Sequence, residues 1–226
     1  MSAAREAGTR PTRDGRAPEA GDDEPLAWGE LVKTLIHSRQ TLLPRRLAEP
    51  GPDDVQLDAI LAAAAAAPDH GQLTPWRFVI VPPAARARLG EAFAAALLAR
   101  DATATPEQVA QAREKAFRAP LLLLAIGRLA DEVPTGEGAG IDATERLISA
   151  GCALQNMLLT AHALGFGAAL TSGKALQSEV LRGLFRLSPG ERALCFLSVG
   201  TVAKPRAVRA RPLPASYVSV LETDGY

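Results

Sequence analysis

The chain has few aromatic residues and no excess of charge of either sign. Only 4% of its 226 residues are aromatic, and 25 lysines and arginines balance 25 aspartates and glutamates. A chain without net charge lacks the long-range field that draws nucleic acid or an anionic membrane to a protein non-specifically. We therefore expect neither as a partner, and we expect any bound anion to be held by a local group of side chains.

Cysteine is also scarce. Cys152 and Cys195 lie in apolar stretches and form no CxxC pair, so they are too few for a disulfide scaffold. This usage indicates a reducing compartment, and we expect a cytoplasmic protein. No stretch approaches the roughly 18 consecutive apolar residues of a membrane span, so we expect no membrane partner.

Residues 1–25 contain no Leu, Ile, Val, Phe, Tyr or Trp. Such a segment cannot bury enough apolar surface to offset the entropy lost on ordering, which predicts a disordered N-terminal extension over 1–25. The remaining residues, 26–226, are predicted to form one domain. Because the apolar content is mostly Ala and Leu, it favours a helix-rich protein over a β-sandwich or barrel.

Hydrophobic periodicity and turn residues predict six helices and four strands. The helices span 26–38, 54–67, 84–100, 106–117, 141–164 and 180–185, and the strands span 76–82, 120–126, 168–171 and 193–199. A half-extended segment follows at 217–220. Strands separated by helices predict an α+β domain with a central sheet, and a mainly parallel, doubly wound sheet remains the alternative.

Six consecutive alanines, Ala62–Ala67, close the second predicted helix before Pro68. Side chains this small allow another backbone or a flat ligand to approach the helix closely. The sequence leaves both interpretations open: a tight helix crossing, or a wall that faces a ligand.

The side chains offer no obvious catalytic group. The histidines His37, His70 and His162 have no metal-ligand spacing with Cys or Asp, and no GxSxG elbow is present. Cys152 and His162 would be separated by roughly 15 Å along one helix, too far for a nucleophile and its base. An enzyme with so few reactive groups usually takes its chemistry from a cofactor.

Two polar segments are candidate binding surfaces. Residues 38–41 read Ser-Arg-Gln-Thr and supply a cation, an amide and two hydroxyls, which suit a phosphate. Residues 67–76 place several polar groups between two prolines, just before a predicted strand. Each segment is equally consistent with an ordinary polar loop that caps a neighbouring element.

Several short motifs, in this order, resemble the nitroreductase family of flavoproteins, particularly its short, YdjA-like members. The matching residues extend from about Leu31 to the C-terminus, and the motifs are more specific together than singly. They are Arg46-Leu47-Ala48-Glu49-Pro50, Ala67-Pro68-Asp69-His70, Pro75-Trp76-Arg77-Phe78, Phe117-Arg118-Ala119-Pro120, Gly165-Phe166-Gly167, Ser172-Gly173 and Gly200-Thr201.

The resemblance implies an α+β fold with a central, mostly antiparallel sheet flanked by helices. It also implies FMN bound at the interface of an intertwined homodimer, to which an extended C-terminal tail contributes. In the family, NAD(P)H is the co-substrate and delivers hydride to the flavin in a ping-pong reaction. A nitroaromatic, quinone or similar electron-poor small molecule then takes the electrons, and no side chain need act as a catalytic acid or base.

The resemblance also assigns cofactor-binding residues. By position, residues 39–41 and an arginine near the C-terminus correspond to the family's ligands of the FMN phosphate and ribityl chain. Residues 70–74 and 170–172 correspond to those that contact the flavin ring. The candidates are Arg39, Gln40, Thr41, His70, Gln72, Thr74, Leu170, Thr171, Ser172, Arg209 and Arg211, with Arg211 the first choice of the last two.

Three of these positions depart from the family pattern. Gln40 stands where the family has Arg, Leu170 where it has Trp, and Thr171 where it has Arg. Losing two cations weakens the hold on FMN unless Arg209 or Lys174 replaces them. The departures therefore support a second hypothesis, a flavin-fold protein that binds or sequesters its ligand without redox turnover.

Overall fold

The structure, a computed structural model, describes residues 24–130, 140–207 and 210–221. Its helices are α1 (Glu24–Ser38), α2 (Asp54–Ala64), α3 (Arg86–Arg100), α4 (Pro106–Glu114), α5 (Ala143–Ala163) and α6 (Glu179–Leu184). Its strands are β1 (Leu47–Ala48), β2 (Trp76–Ile80), β3 (Leu121–Arg128), β4 (Gly167–Thr171) and β5 (Glu191–Val202). Short 3-10 turns lie at Pro44–Arg46, His70–Gln72, Pro83–Ala85, Lys115–Phe117, Lys174–Gln177 and Pro214–Ser216.

The predicted α+β class with a mostly antiparallel sheet is confirmed, and the parallel alternative is wrong. All named strand pairs are antiparallel: β1 with β5, β2 with β3, β3 with β5 and β4 with β5. Most of the predicted extension, residues 1–23, lies outside the described residues, and α1 begins at Glu24, two residues before the predicted boundary. No strand forms at 217–220.

Helix ends follow local hydrogen bonding. Asp53 caps α2, because its carboxylate accepts the amide of Gln56 while the Gln56 side chain accepts the amide of Asp53. The helix ends at Ala64, earlier than the predicted Ala67. The next three amides, of residues 65–67, bond instead to carbonyls three residues back, which is the tighter 3-10 pattern.

Side-chain alternation along β3 divides the core into two layers. Leu123 and Ala125 face α2 and α5 in one layer, whereas Leu122, Leu124 and Ile126 face α3 and α6 in the other. From α2 and the alanine run, Ile60, Ala64 and Ala67 are buried in the first layer with residues of α5, whereas Ala62, Ala65 and Ala66 are exposed. The Asn156 amide of α5 also donates to the carbonyl of Ala63 at 3.2 Å.

The sheet has β4 at one edge and β2 at the other. Both β3 and β4 pair with residues 196–199 of β5, so they lie on opposite sides of it, and β2 lies beyond β3. The two-residue strand β1 pairs only with the end of β5, at Thr201 and Val202. In the part of the chain that the structure describes, no helix is long and apolar enough to cross a membrane.

An ion pair across the sheet ties β2 to β5. Arg77 donates from Nε and Nη2 to the two carboxylate oxygens of Glu191 at 2.6 and 2.7 Å, and the Ser188 amide donates to the same carboxylate at 3.1 Å. The Glu191 side chain is only 10% exposed. These hydrogen bonds, chiefly those from Arg77, lower the pKa of Glu191.

We expect Glu191→Gln to lower the free energy of unfolding by about 2 kcal/mol near pH 7, because the bonds from Arg77 are charge-assisted. The folded-state pKa lies below the unfolded value of about 4.3, so the carboxylate stabilises the fold above that value and ceases to as the pH falls through the folded pKa. Urea denaturation across this range measures the effect. If the difference in unfolding free energy between the wild type and Glu191→Gln stays constant below about pH 4, the Glu191 carboxylate does not stabilise the fold through its charge.

Candidate cofactor site

The segment after α1 runs beside the edge strand β4. Thr41 forms a parallel bridge with Ala168, and the Leu42 amide donates to the Ala168 carbonyl at 3.0 Å. The contact is close: a Cβ on Gly167 would lie within 3 Å of the side chains of Leu42 and Leu47. Two groups of predicted site residues, 39–41 and 170–172, are therefore neighbours at one edge of the sheet.

Arg39 lies at one end of this edge with a second cation against it. Its Nε atom is buried and has no hydrogen-bond partner among the described residues. Arg211 donates from Nη2 to the Arg39 carbonyl at 2.7 Å. Burial, and next the positive charge of Arg211, lower the pKa of Arg39. Two adjacent guanidinium groups, one with an orphaned donor, favour an anion as the missing partner.

A concave site, which we call the Arg39 cleft, surrounds this arginine. Among the residues that the structure describes, its lining includes no Asp or Glu. The residues are Ser38, Arg39, Gln40, Leu42, Leu158, His162, Gly165, Phe166, Gly167, Ala168, Val202, Pro205 and Arg206. The cleft therefore offers cations, hydroxyl and amide groups to a ligand, which is the donor set that a phosphate requires.

Ser38 belongs to the segment 38–41 that was predicted as a phosphate-binding surface, whereas His162 was not predicted as a site residue. Ser38 Oγ and His162 Nε2 are 2.7 Å apart, and Arg206 adds a second cation to the lining, besides Arg39. Burial, and next the charge of Arg39, lower the pKa of His162. A usable signal was the position of His162, at the end of α5 just before the turn into β4.

A second, larger concavity of about 720 Å³ lies at the other end of the same edge. We call it the cation-lined cleft. Arg45, Arg100, Lys115, Arg118 and Lys174 line it together with the predicted site residues Thr171 and Ser172. Its apolar lining includes Leu43, Pro44, Phe93, Leu97, Leu122 and Phe196, and its other polar residues include Gln108, Gln111 and Ser198. A flat, electron-accepting ring suits such a surface.

The same two segments of the chain, residues 38–45 and 165–175, contribute to both clefts. Residues 38–40 and 165–168 line the Arg39 cleft, and residues 43–45 and 171–175 line the cation-lined cleft. Leu158 and His162 of α5 line the Arg39 cleft, whereas Phe93 and Leu97 of α3 line the cation-lined cleft, so the two clefts lie on opposite faces of the sheet near its β4 edge. A ligand that reaches both clefts must therefore pass around this edge.

The remaining predicted residues lie in the turn before β2. The His70 Nδ1 atom is 2.8 Å from Glu145 Oε2 of α5, and the Thr74 amide donates to the Asp69 carboxylate. Gln72 and Thr74 both have positive φ, a conformation that costs energy for residues with a side chain. Gln72 and Thr74 line a third concavity, the Gln72 cleft, whose wall includes Ala64, Ala65 and Ala67 of the alanine run.

The Gln72 cleft is far from the other two clefts within one chain. Strand β2 is three strands away from β4, or about 14 Å at 4.8 Å a strand. Along the strand direction, Trp76 of β2 lies at the level of Arg192 of β5, whereas Ala168 of β4 lies at the level of Val199. Trp76 and Ala168 are therefore also displaced along the strands by seven residues, about 24 Å. The fold does not bring residues 70–74 and 170–172 of one chain together.

Of the remaining predicted residues, Arg209 lies outside the described residues, and Leu170 is on β4 with its side chain 37% exposed.

Among the residues that the structure describes, no group of three or more His, Cys, Asp or Glu is arranged to hold a metal ion. Both cysteines are free, and burial raises the pKa of Cys195 to about 11, so this thiol is not a nucleophile at neutral pH.

The fold and the sequence together define the class. The family model described as "Nitroreductase family" matches residues 44–201, and the chain belongs to the nitroreductase family of oxidoreductases. Among curated proteins, it is similar to "Putative NAD(P)H nitroreductase YdjA" of Escherichia coli (strain K12): 33% identity over 172 residues, covering 76% of this chain and 88% of YdjA. The predicted resemblance to YdjA-like nitroreductases is confirmed.

Solved structures show the same fold. The "Nitroreductase-like Family Protein" from Bacillus cereus superposes with a TM-score of 0.69 at 19% identity, covering 84% of this chain and 96% of that one. The "FMN-dependent Nitroreductase" from Clostridium difficile R20291 superposes with a TM-score of 0.59 at 17% identity, covering 84% of this chain and 99% of that one.

Proposed function

We propose that the protein is an FMN-dependent oxidoreductase that uses NADH or NADPH to reduce an electron-poor small molecule. The observation that carries the proposal is the buried Nε of Arg39, without a partner among the described residues, beside Arg211. This pair of cations lies at one end of a sheet edge whose other end is the cation-lined cleft. An FMN molecule can reach both clefts around this edge, because a flexible chain joins its phosphate to its flat ring.

Each part of FMN has candidate partners in this chain. Arg39 and Arg211 would hold the phosphate, with Arg206 close by, and the Thr41 hydroxyl would serve the ribityl chain. The cation-lined cleft would hold the ring and offset the negative charge that a flavin gains on reduction. The charge missing at Gln40 would be supplied by Arg206, which lines the Arg39 cleft.

Bound FMN supplies two-electron chemistry, accepting hydride from a nicotinamide and passing the electrons to an acceptor. With a quinone, the overall reaction consumes NAD(P)H, one proton and the quinone and yields NAD(P)+ and the hydroquinone. With a nitroaromatic, the same two electrons and two protons give the nitroso compound and water. The chain's own residues bind and orient these molecules, and we assign none of them as a catalytic acid or base.

We further propose that the working form is a homodimer in which each cofactor touches both copies. The separation of the Gln72 cleft from the other two supports this, because residues 70–74 could reach the flavin only from a second copy. Unpartnered apolar side chains give such a copy a surface to bind. They include Trp28, Leu31, Val32 and Ile36 on α1, Ile148 on α5, and Leu213, Tyr217 and Val218 in the tail.

A complementation experiment tests the shared site. Arg39→Ala damages the phosphate end, and Ala65→Trp fills the Gln72 cleft from an exposed wall position. We expect each variant alone to purify without flavin. In a two-fold symmetric dimer of one copy of each, one site carries both changes and the other carries neither, so the heterodimer should hold about half the wild-type flavin. A heterodimer with no flavin would contradict a site built from two copies.

The second hypothesis, a protein that binds flavin without turnover, is motivated by Gln40, Leu170 and Thr171. Steady-state oxidation of NADH and NADPH with menadione as acceptor separates the two. We expect a yellow protein that oxidises at least one nicotinamide only when menadione is present. A yellow protein with no turnover supports the binding hypothesis, and a colourless protein that does not bind added FMN contradicts both. A reducing, cytoplasmic setting and the absence of nucleic acid remain expectations from composition.

A further inference from the structure

The cation-lined cleft carries more positive charge than a flavin ring needs. Of the described residues that line it, five are Lys or Arg and none is Asp or Glu, in a chain whose charges balance overall. The cations come from four separate parts of the chain: the 3-10 turn before β1, the end of α3, the residues after α4 and the residues after β4. The surplus is therefore a property of the folded site and not of one charged helix face.

Most of these cations are not neutralised by neighbours. Arg118 forms a long, exposed ion pair with Glu114 at 3.9 Å, and Arg100 is followed by Asp101, whose carboxylate bonds mainly to Thr103. The side chains of the other three, Arg45, Lys115 and Lys174, make no hydrogen bond or ion pair with any described residue. Several positive charges therefore face the cleft without an acidic partner.

A ligand with both an apolar ring and an anionic group would use the whole lining. Phe93, Leu97 and Phe196 offer apolar surface to a ring, and the cations surround it. A reduced flavin brings a single negative charge to this cleft, because its phosphate belongs to the Arg39 cleft. At least two cations then remain for the molecule that faces the flavin.

We propose that the cation-lined cleft selects electron acceptors that carry a carboxylate or sulfonate on an aromatic or quinone ring. Arg100 and Lys174 are the selecting residues: both are exposed, and they lie on separate segments that bound the cleft. The inference rests on the proposed function, since it names the acceptor for that same site. The extra phosphate of NADPH is a second possible source of anionic charge, and the experiment separates it from the acceptor.

The experiment compares 1,4-naphthoquinone with 1,4-naphthoquinone-2-sulfonate, with NADH as donor. The readout is the ratio of kcat/KM for the sulfonate to kcat/KM for the neutral quinone. Because both quinones are used with every variant, their different reduction potentials cancel between variants. We expect Arg100→Gln with Lys174→Gln to lower this ratio roughly tenfold, mostly through KM, since each removed charge has a partly screened effect.

Two controls accompany the kinetics. Arg88→Gln removes an exposed arginine on the same helix, α3, that does not line this cleft, and we expect it to leave the ratio unchanged. Calorimetric binding of naphthalene-2-sulfonate to the purified holoprotein gives a readout without turnover. We expect saturable binding that the double variant and added salt weaken.

The outcomes distinguish the inference from the function beneath it. Equal ratios in wild type and double variant, with normal turnover of the neutral quinone, overturn the inference and leave the oxidoreductase in place. A double variant that changes only the preference for NADPH over NADH also overturns it, since the cations would then serve the nicotinamide. No turnover of either quinone by the wild type instead counts against the proposed function.

Discussion

Arg39→Ala weakens FMN binding roughly 10- to 150-fold, the range that corresponds to losing a hydrogen bond to a charged group worth about 1.5–3 kcal/mol. The Arg39 guanidinium has a buried donor without a partner among the described residues, and Arg211 lies beside it, so its removal deletes one of the two proposed phosphate ligands and leaves Arg211 alone. Arg39→Lys keeps the charge without the planar fork, and an intermediate affinity is expected.

Riboflavin, which is FMN without its phosphate, provides the sharpest control. We expect the wild-type protein to prefer FMN to riboflavin, and Arg39→Ala to lose most of that preference while binding riboflavin as the wild type does. Arg88→Ala, an exposed arginine elsewhere, should leave both affinities unchanged. Fluorescence titration of the flavin-free protein measures all of them. If the Arg39→Ala protein still prefers FMN to riboflavin as strongly as the wild type does, the phosphate does not bind at Arg39.

Arg86→Met costs roughly 3–5 kcal/mol of unfolding free energy, because it leaves buried acceptors without a donor. Arg86 is 5% exposed and donates to three carbonyl oxygens, those of Val81 at 2.8 Å, Ala116 at 2.8 Å and Pro120 at 3.0 Å. Burial lowers the pKa of Arg86, although the charge of Glu49 opposes the effect. A single side chain thus joins the start of α3 to the end of β2 and to the residues before β3.

The measurement is urea denaturation, with Arg88→Met as the matched control. Arg88 lies two residues further along α3 and is exposed, so this control should change stability by less than about 0.5 kcal/mol. Arg86→Lys should recover only part of the loss, since an ammonium cannot reach three divergent carbonyls as a guanidinium does. If Arg86→Met proves as stable as its control, the three hydrogen bonds do not stabilise the fold as described.

The hydrogen bonds of Arg86 also hold one wall of the cation-lined cleft. Ala116 and Pro120 flank Lys115 and Arg118, which line the cation-lined cleft. Loosening Arg86 should therefore also loosen this wall. We expect the Arg86→Met protein, where it is folded, to bind flavin less tightly than the Arg88→Met control.

The local pattern of the sequence was enough to place the larger elements. Four strands and six helices were predicted within a few residues, because buried strands such as Leu121–Arg128 and long amphipathic helices such as Ala143–Ala163 carry strong signals. Strand direction was not decidable, since pairing depends on contacts between distant segments. The two-residue strand Leu47–Ala48 is too short to show any periodicity, and its pairing with β5 comes from tertiary packing.

Candidate site residues could be predicted only where one short segment holds them. Arg39 and Thr41 were predicted because a cation and a hydroxyl lie two residues apart just after the first predicted helix. His162 was not predicted, because only the fold brings the end of α5 to Arg39. The cation-lined cleft could not be foreseen either, since its charges are spread over four parts of the chain.

The most direct test of the central claim is an anaerobic titration of the purified protein with NADH and then NADPH, followed by the flavin absorbance. The account predicts a yellow protein whose flavin colour is lost on addition of one equivalent of at least one nicotinamide and returns when menadione is added. Bound flavin that neither nicotinamide reduces, or a protein that binds no flavin at all, would contradict the account.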